Sequence, residues 1–182
     1  MANIVRASAA YLREAAKTEQ SAIANFGSVG SWHSSPAISH YCSTKWAVSG
    51  LTEGLIGELK SFGIDVTVIE PGYFRTEFLQ ADPTTGKERR IQASRTLDIY
   101  KGTPTDEVRR AMDAVNGKQP GNVVKAAKII VDVLTKSGVA SGKEVPMRLV
   151  LGSDCVEAIR KKMRETEALL QEWEAIARST DY

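Results

Sequence analysis

The sequence predicts an α/β fold organised on a parallel sheet, and three observations carry that expectation. Short apolar runs closed by Gly or Pro stand at residues 21–27, 64–72 and 146–152, lengths that suit buried strands. Between them, apolar residues recur three and four apart, the spacing of one helix face. The order helix, short turn, strand over residues 39–72 is the return half of a βαβ crossover, which joins parallel neighbours.

Taken in order, residues 3–17 read as a helix with Ile4, Ala7, Tyr11, Leu12 and Ala15 on one side. SAIANFGS then reads as a buried strand over residues 21–27, and GSVGSWHSSPAIS as a loop rich in Gly and Ser. A second helix, residues 39–61, carries Ala47, Val48, Leu51, Leu55, Ile56 and Leu59. Phe62-Gly63 stops it, with Gly63 suited to a left-handed cap. In IDVTVIEPG, Val66, Val68 and Ile69 suit a central strand closed by Pro71-Gly72. Residues 73–119 are polar and broken by Asp82-Pro83, Thr85-Gly86, Gly102 and Pro104, with short helices expected near 87–99 and 104–115. After Pro120-Gly121 a helix is expected to Lys136, carrying Val123, Val124, Ala127, Ile130, Val131 and Leu134, and PMRLVLG follows as a third strand. From Asp154 a long amphipathic helix presents Val156, Ile159, Met163, Leu170 and Trp173, core or interface rather than a cofactor surface. Asp154 and Glu157 have the spacing of a capping box, and Cys155 reads as a small buried group.

With 182 residues, 42% hydrophobic and 25% charged, the chain fits one domain with a single sizeable core. The 24 basic and 22 acidic residues are spread along it, so no basic stripe argues for nucleic acid or a membrane surface. Its longest apolar runs are far shorter than a bilayer span. The opening MANIVRASAAYLREAAK lacks the apolar core and cleavage site of a secretory signal. Cys42 and Cys155 give no disulfide framework, so a cytoplasmic location is expected. His33, His40 and Cys42 match no metal-ligand spacing, and no metal is expected.

YCSTK, residues 41–45, sets Tyr41 one helical turn ahead of Lys45. Alone, a Tyr-x-x-x-Lys arises by chance in roughly one chain in three of this length, and most such surface pairs carry no function. Its surroundings give it weight. Residues four apart share a helix face, and a neighbouring ammonium favours the ionised form of a phenol. A phenol so placed can pass a proton to or from a carbonyl or alcohol oxygen. Ser28 lies at the end of the first strand, and ligands of open α/β sheets sit at the carboxyl ends of the strands. EPGYFRT leaves the second strand at the same edge.

ANFGSVGSW, YCSTKWAVSGLTEGL and FGIDVTVIEPGYFRTEF, in that order, resemble successive motifs of the short-chain dehydrogenases/reductases, with agreement over residues 8–152. VPMRLVLGSD, the helix after it and the STDY end are similar to a fungal and bacterial subgroup of NADP-dependent oxidoreductases. The resemblance implies a partial Rossmann-like, doubly wound sheet that lacks its N-terminal nucleotide-binding strands. It implies Tyr41 as general acid/base, Lys45 as the group that tunes it and holds the nicotinamide ribose, and Ser28 as the hydrogen-bond partner of the substrate oxygen. Pro71, Gly72, Phe74 and Thr76 fall where the family meets the nicotinamide end of NADP (or NAD). On this basis residues 1–182 divide into a leading helix (1–20), a catalytic strand-helix-strand (21–72), a substrate lid (73–119), a last helix and strand (120–152) and a C-terminal amphipathic helix (153–182). A small-molecule ketone or secondary alcohol is the implied substrate, a polyketide or terpenoid carbonyl of secondary metabolism by subgroup habit. A homo-oligomer through the Tyr41-bearing helix is implied as well. Trp46 reads as packing, and Arg75, Glu77 and the run 87–90 as a solvated face.

The family's Gly-rich turn, which seats a pyrophosphate on a helix N-terminus, occurs nowhere in these 182 residues. Neither does the residue that selects NAD or NADP, and the family's relay Asn would precede Met1. Three readings stay open: a truncated product of an active reductase, a chain completed by another, or a pseudo-reductase without catalysis that acts as an interaction partner.

Overall fold

Three strands lie side by side in chain order, β1 Ser21–Phe26, β2 Ile64–Pro71 and β3 Arg148–Leu151, all parallel. The computed structural model describes residues 1–86, 89 and 95–182. Ser21 aligns with Ile64 and Val68 with Arg148, so β2 is bonded on both sides. Among the described residues the α-helices are α1 Ala2–Ala15, α2 Ser39–Leu59, α3 Pro104–Val115, α4 Val123–Leu134 and α5 Ser153–Arg178. No helix among the described residues is long and apolar enough to cross a membrane.

Alternation along β2 builds a core on each face of the sheet. Ile64 and Val66 meet Leu55 and Leu59 of α2, with Val5 and Leu12 of α1 packed against them. Ile69 faces the other way, onto Ala126 of α4 and Leu151 of β3, with Ile129, Ile130 and Phe74 around them. The α2 helix ends through a 3-10 turn, Lys60–Phe62, and Gly63 takes the left-handed conformation (φ 72) expected of it. The short helix expected near 87–99 falls mostly outside the described residues, and its described end closes in a 3-10 turn, Asp98–Tyr100. Of the 87–90 run only Arg89 is described, paired with Glu77 and with Asp82. Arg75 is exposed, as expected, and its guanidinium also donates to the Gln119 carbonyl at 3.3 Å.

Several helix faces differ from those expected. On α1, Ile4 and Tyr11 are exposed while Val5, Leu12 and Ala16 pack inward, a rotation of about one residue. On α4 the inward line is Ala126, Ile129, Ile130 and Val133, whereas Val123, Val124 and Val131 face out. Both helices carry apolar residues on more than one side, so periodicity alone does not select the buried one. The Asp154–Glu157 capping box does not form. Gly152 is the N-cap, with no side-chain cap bond, and Asp154 instead accepts a 2.6 Å hydrogen bond from the Tyr73 amide. Cys155 is fully buried, as expected.

Candidate active site

Just past β1 the chain turns sharply. Ser28 accepts from the Gly30 amide at 3.1 Å, and its own amide donates to Ser31 Oγ at 3.2 Å, a reciprocal cap on the 3-10 turn Val29–Ser31. Ser31 Oγ then donates to the Lys45 carbonyl at 3.0 Å, tying the turn to α2. Trp32 anchors it from beneath, donating from Nε1 to the buried carboxylate of Glu70 at 2.6 Å. Ser49 and Arg148 bond the same carboxylate at 2.7 and 2.6 Å, and the Arg148 guanidinium lies 4.7 Å from the Trp32 ring centre. A carboxylate with no solvent exposure requires such partners.

Tyr41 and Lys45 share a face of α2, with the ammonium 5.7 Å from the centre of the Tyr41 ring. Lys45 Nζ donates to the Phe26 carbonyl at 2.9 Å, which holds it at the carboxyl end of β1. Its burial lowers its pKa, because a desolvated ammonium is the less favoured form. Gly30 is where Ser28 and Tyr41 converge. A Cβ there would lie 3.6 Å from Ser28 Oγ and 3.3 Å from both Tyr41 Cε1 and Cys42 Sγ. Only a residue without a side chain leaves the hydroxyl and the phenol ring this close without displacement. Ser28, Tyr41 and Lys45 are thus gathered at one mouth of the sheet.

The segment after β2 forms the rim. Gly72 donates to the Leu151 carbonyl at 2.8 Å and carries the Asp154 carboxylate against its Cα, where a Cβ would sit 2.3 Å from both oxygens. Thr76 caps the next 3-10 turn, Glu77–Leu79, by accepting from Phe78, and the Phe78 ring lies 6.3 Å from that of Tyr41. Phe74 points elsewhere, its ring packed on the α4 side of the sheet. A parallel bridge joins Phe74 to Gly121 through the Tyr73 carbonyl and the Arg75 amide, so Phe74's own N–H and C=O face away from Gly121. A separate cavity of about 290 Å³ lies on that α4 side, between Phe74, Ala126, Leu151 and Asp154.

Tyr73 is a member of this cluster that the residue pattern did not single out. Its side chain stays partly open to solvent, and its pKa is raised, first by desolvation and then by the charge of Asp154, Cys42 and Tyr41 nearby. Its signal was present only as the lone Tyr inside EPGYFRT. Asp154 gave none, since its role depends on a fold that brings residue 154 to residue 73.

Likeness to known proteins gives its class. A family model described as short chain dehydrogenase matches residues 1–86. The oxidoreductase BOA17 of Botryotinia fuckeliana is 30% identical over 150 residues, 82% of this chain and 49% of that protein. The structure of a short-chain dehydrogenase from Streptomyces avermitilis superposes with a TM-score of 0.78 at 30% identity, covering all of this chain and 59% of that one. A short-chain dehydrogenase from Burkholderia cenocepacia, solved with NADP, shares the fold at 18% identity and a TM-score of 0.56, over 93% of this chain and 54% of that one. The chain belongs to the short-chain dehydrogenase family. It spans about half the length of the curated relatives it matches.

Proposed function

We propose that this chain carries the catalytic part of an NAD(P)-dependent oxidoreductase that interconverts a ketone and a secondary alcohol. The convergence of Ser28 Oγ and the Tyr41 ring at Gly30, with the Lys45 ammonium 5.7 Å from that ring, is the observation that carries this reading.

In reduction, Tyr41 gives its phenolic proton to the substrate oxygen as charge develops there. The Lys45 ammonium stabilises the phenolate left behind. Ser28 donates a hydrogen bond to the same substrate oxygen and fixes its direction. Lys45 spends one of its three N–H groups on Phe26, leaving the others for ribose hydroxyls of a nicotinamide nucleotide. Pro71, Gly72, Phe74 and Thr76 form the rim that meets the nicotinamide end, Phe74 through its outward backbone groups rather than its ring. The nucleotide supplies or accepts the hydride. Residues 73–119 serve as the substrate lid, and a polyketide or terpenoid carbonyl of secondary metabolism is the class favoured by subgroup resemblance. NADP is favoured on the same ground. The exposed side of α2 is the surface for a homo-oligomer. Two free, buried cysteines accord with the reducing cytoplasm.

Nucleotide titration is the first test. Saturable quenching or enhancement of NADPH fluorescence supports the reading; its absence from the purified chain favours the pseudo-reductase. With binding established, Tyr41→Phe should cut NADPH-dependent reduction of a model ketone by at least about a hundredfold, the lower range for a lost acid/base group, while nucleotide binding persists. Unchanged turnover would remove Tyr41 from its role.

A further inference from the structure

The last helix outruns the body of the protein. Of its 26 residues only Cys155 and Ile159 are buried, and every residue from Met163 to the C-terminus is exposed. Residues 163–178 thus run about 24 Å as solvated helix, although a lone helix of that length is marginal in water. Met163, Leu169, Leu170, Trp173 and Ile176 are each 52–61% exposed. Thr166 and Trp173 are seven apart, and so are Met163, Leu170 and Ala177. Interleaved at steps of four and three, the two rows make the seam of a coiled coil. Beside it, between α5 and α2, lies a groove of about 530 Å³ with Trp32, Trp46, Met163 and Leu170 among its walls.

We propose that α5 pairs antiparallel with α5 of a second copy of this chain, each Trp173 entering the groove between α2 and α5 of the other. The seam is self-complementary in that direction. Centred on Ala168, it sets Met163 against Trp173 of the partner subunit and Thr166 against Leu170 of the partner subunit. On the flank, Arg160 comes opposite Glu174 of the partner subunit, a pairing of opposite charge. The Met163–Trp173 layer also brings the indole to the groove that Met163 already lines. A two-fold axis makes each contact occur twice. The alignment sets Glu167 near its own copy at the axis, a repulsion that holds the affinity down. This pairing is independent of the catalytic reading, and the groove that takes Trp173 borders the solvent face of α2 at Trp46.

Light scattering on the full 182-residue chain tests it. The expected mass is twice 19.8 kDa, or four times where the exposed side of α2 pairs as well. Leu170→Glu with Trp173→Glu should halve that mass with its helical circular dichroism kept, a rise in dissociation constant of about thirtyfold or more. Arg160→Glu and Glu174→Arg should each weaken the dimer, and the two together restore it, which damage to folding could not do. Glu167→Gln should tighten it. A mass of 19.8 kDa for the wild-type chain at tens of micromolar overturns the proposal. So does a mass that Leu170→Glu/Trp173→Glu leaves unhalved, since the whole contact would then lie elsewhere, at the free side of β1 or on α2.

Discussion

Gly30 and Gly72 show how much of this site depends on atoms that are not there. At Gly30 a methyl would press at 3.3 Å on the Tyr41 ring edge and on Cys42 Sγ. Gly30→Ala should therefore cost about 1 kcal/mol of stability and, by shifting the ring, lower turnover more than tenfold; urea melts and steady-state rates separate the two effects. At Gly72 a methyl would overlap both Asp154 oxygens at 2.3 Å. Gly72→Ala should cost about 1–3 kcal/mol, and Gly72→Ala with Asp154→Ala should be more stable than the two single losses added together. At this scale the sequence was legible where chemistry follows spacing. Tyr41 and Lys45 share a face because they are four apart, and Ser28 reaches them because it closes a strand. Asp154 was illegible because its partner, the Tyr73 amide, lies 81 positions away and backbone amides leave no mark in a sequence.

Among the elements, β2 does the most to connect site and scaffold, through Glu70 and through Cys155 beneath it. Arg148→Met should cost about 3–5 kcal/mol, because it strands a buried carboxylate. Glu70→Gln added to it should recover part of that loss, since a neutral amide still accepts from Trp32 and Ser49; chemical denaturation of the three variants gives the comparison. The Cys155 thiol, 3.4 Å from the Glu70 carbonyl, has its pKa pushed up to about 12 by burial and by the charges of Asp154 and Glu70. Between the ordinary thiol value of 9.0 and about 12 the unfolded chain releases this proton and the folded chain keeps it. The folded state then binds more protons, so stability falls as pH rises through that window. Cys155→Ala should flatten this decline in denaturation midpoint between pH 9 and 12. Strand positions and helix spans were readable from apolar runs and their Gly and Pro borders. Helix faces were less so: α2 turns small polar residues inward, Ser49 and Thr52, which bond Glu70 and Asn25 and break the apolar stripe.

Across the whole molecule the sheet is asymmetric. Strand β2 has neighbours on both sides, β3 spans four residues, and β1 has a neighbour on one side only among the described residues. The parallel α/β plan was legible because each helix-turn-strand unit is local, whereas the reach of α5 beyond the core was not, since a stripe of apolar residues reads the same whether or not anything covers it. The one-sided bonding of β1 has a dynamic counterpart. In deuterated water, amides of β2 that are bonded on either flank should be the last to exchange, opening only with the whole core. Those of β1 that point outward should exchange within the dead time of a manual pulse, unless another polypeptide lies alongside. Mass spectrometry of peptides spanning residues 21–26 would thus report directly on whether that margin is occupied.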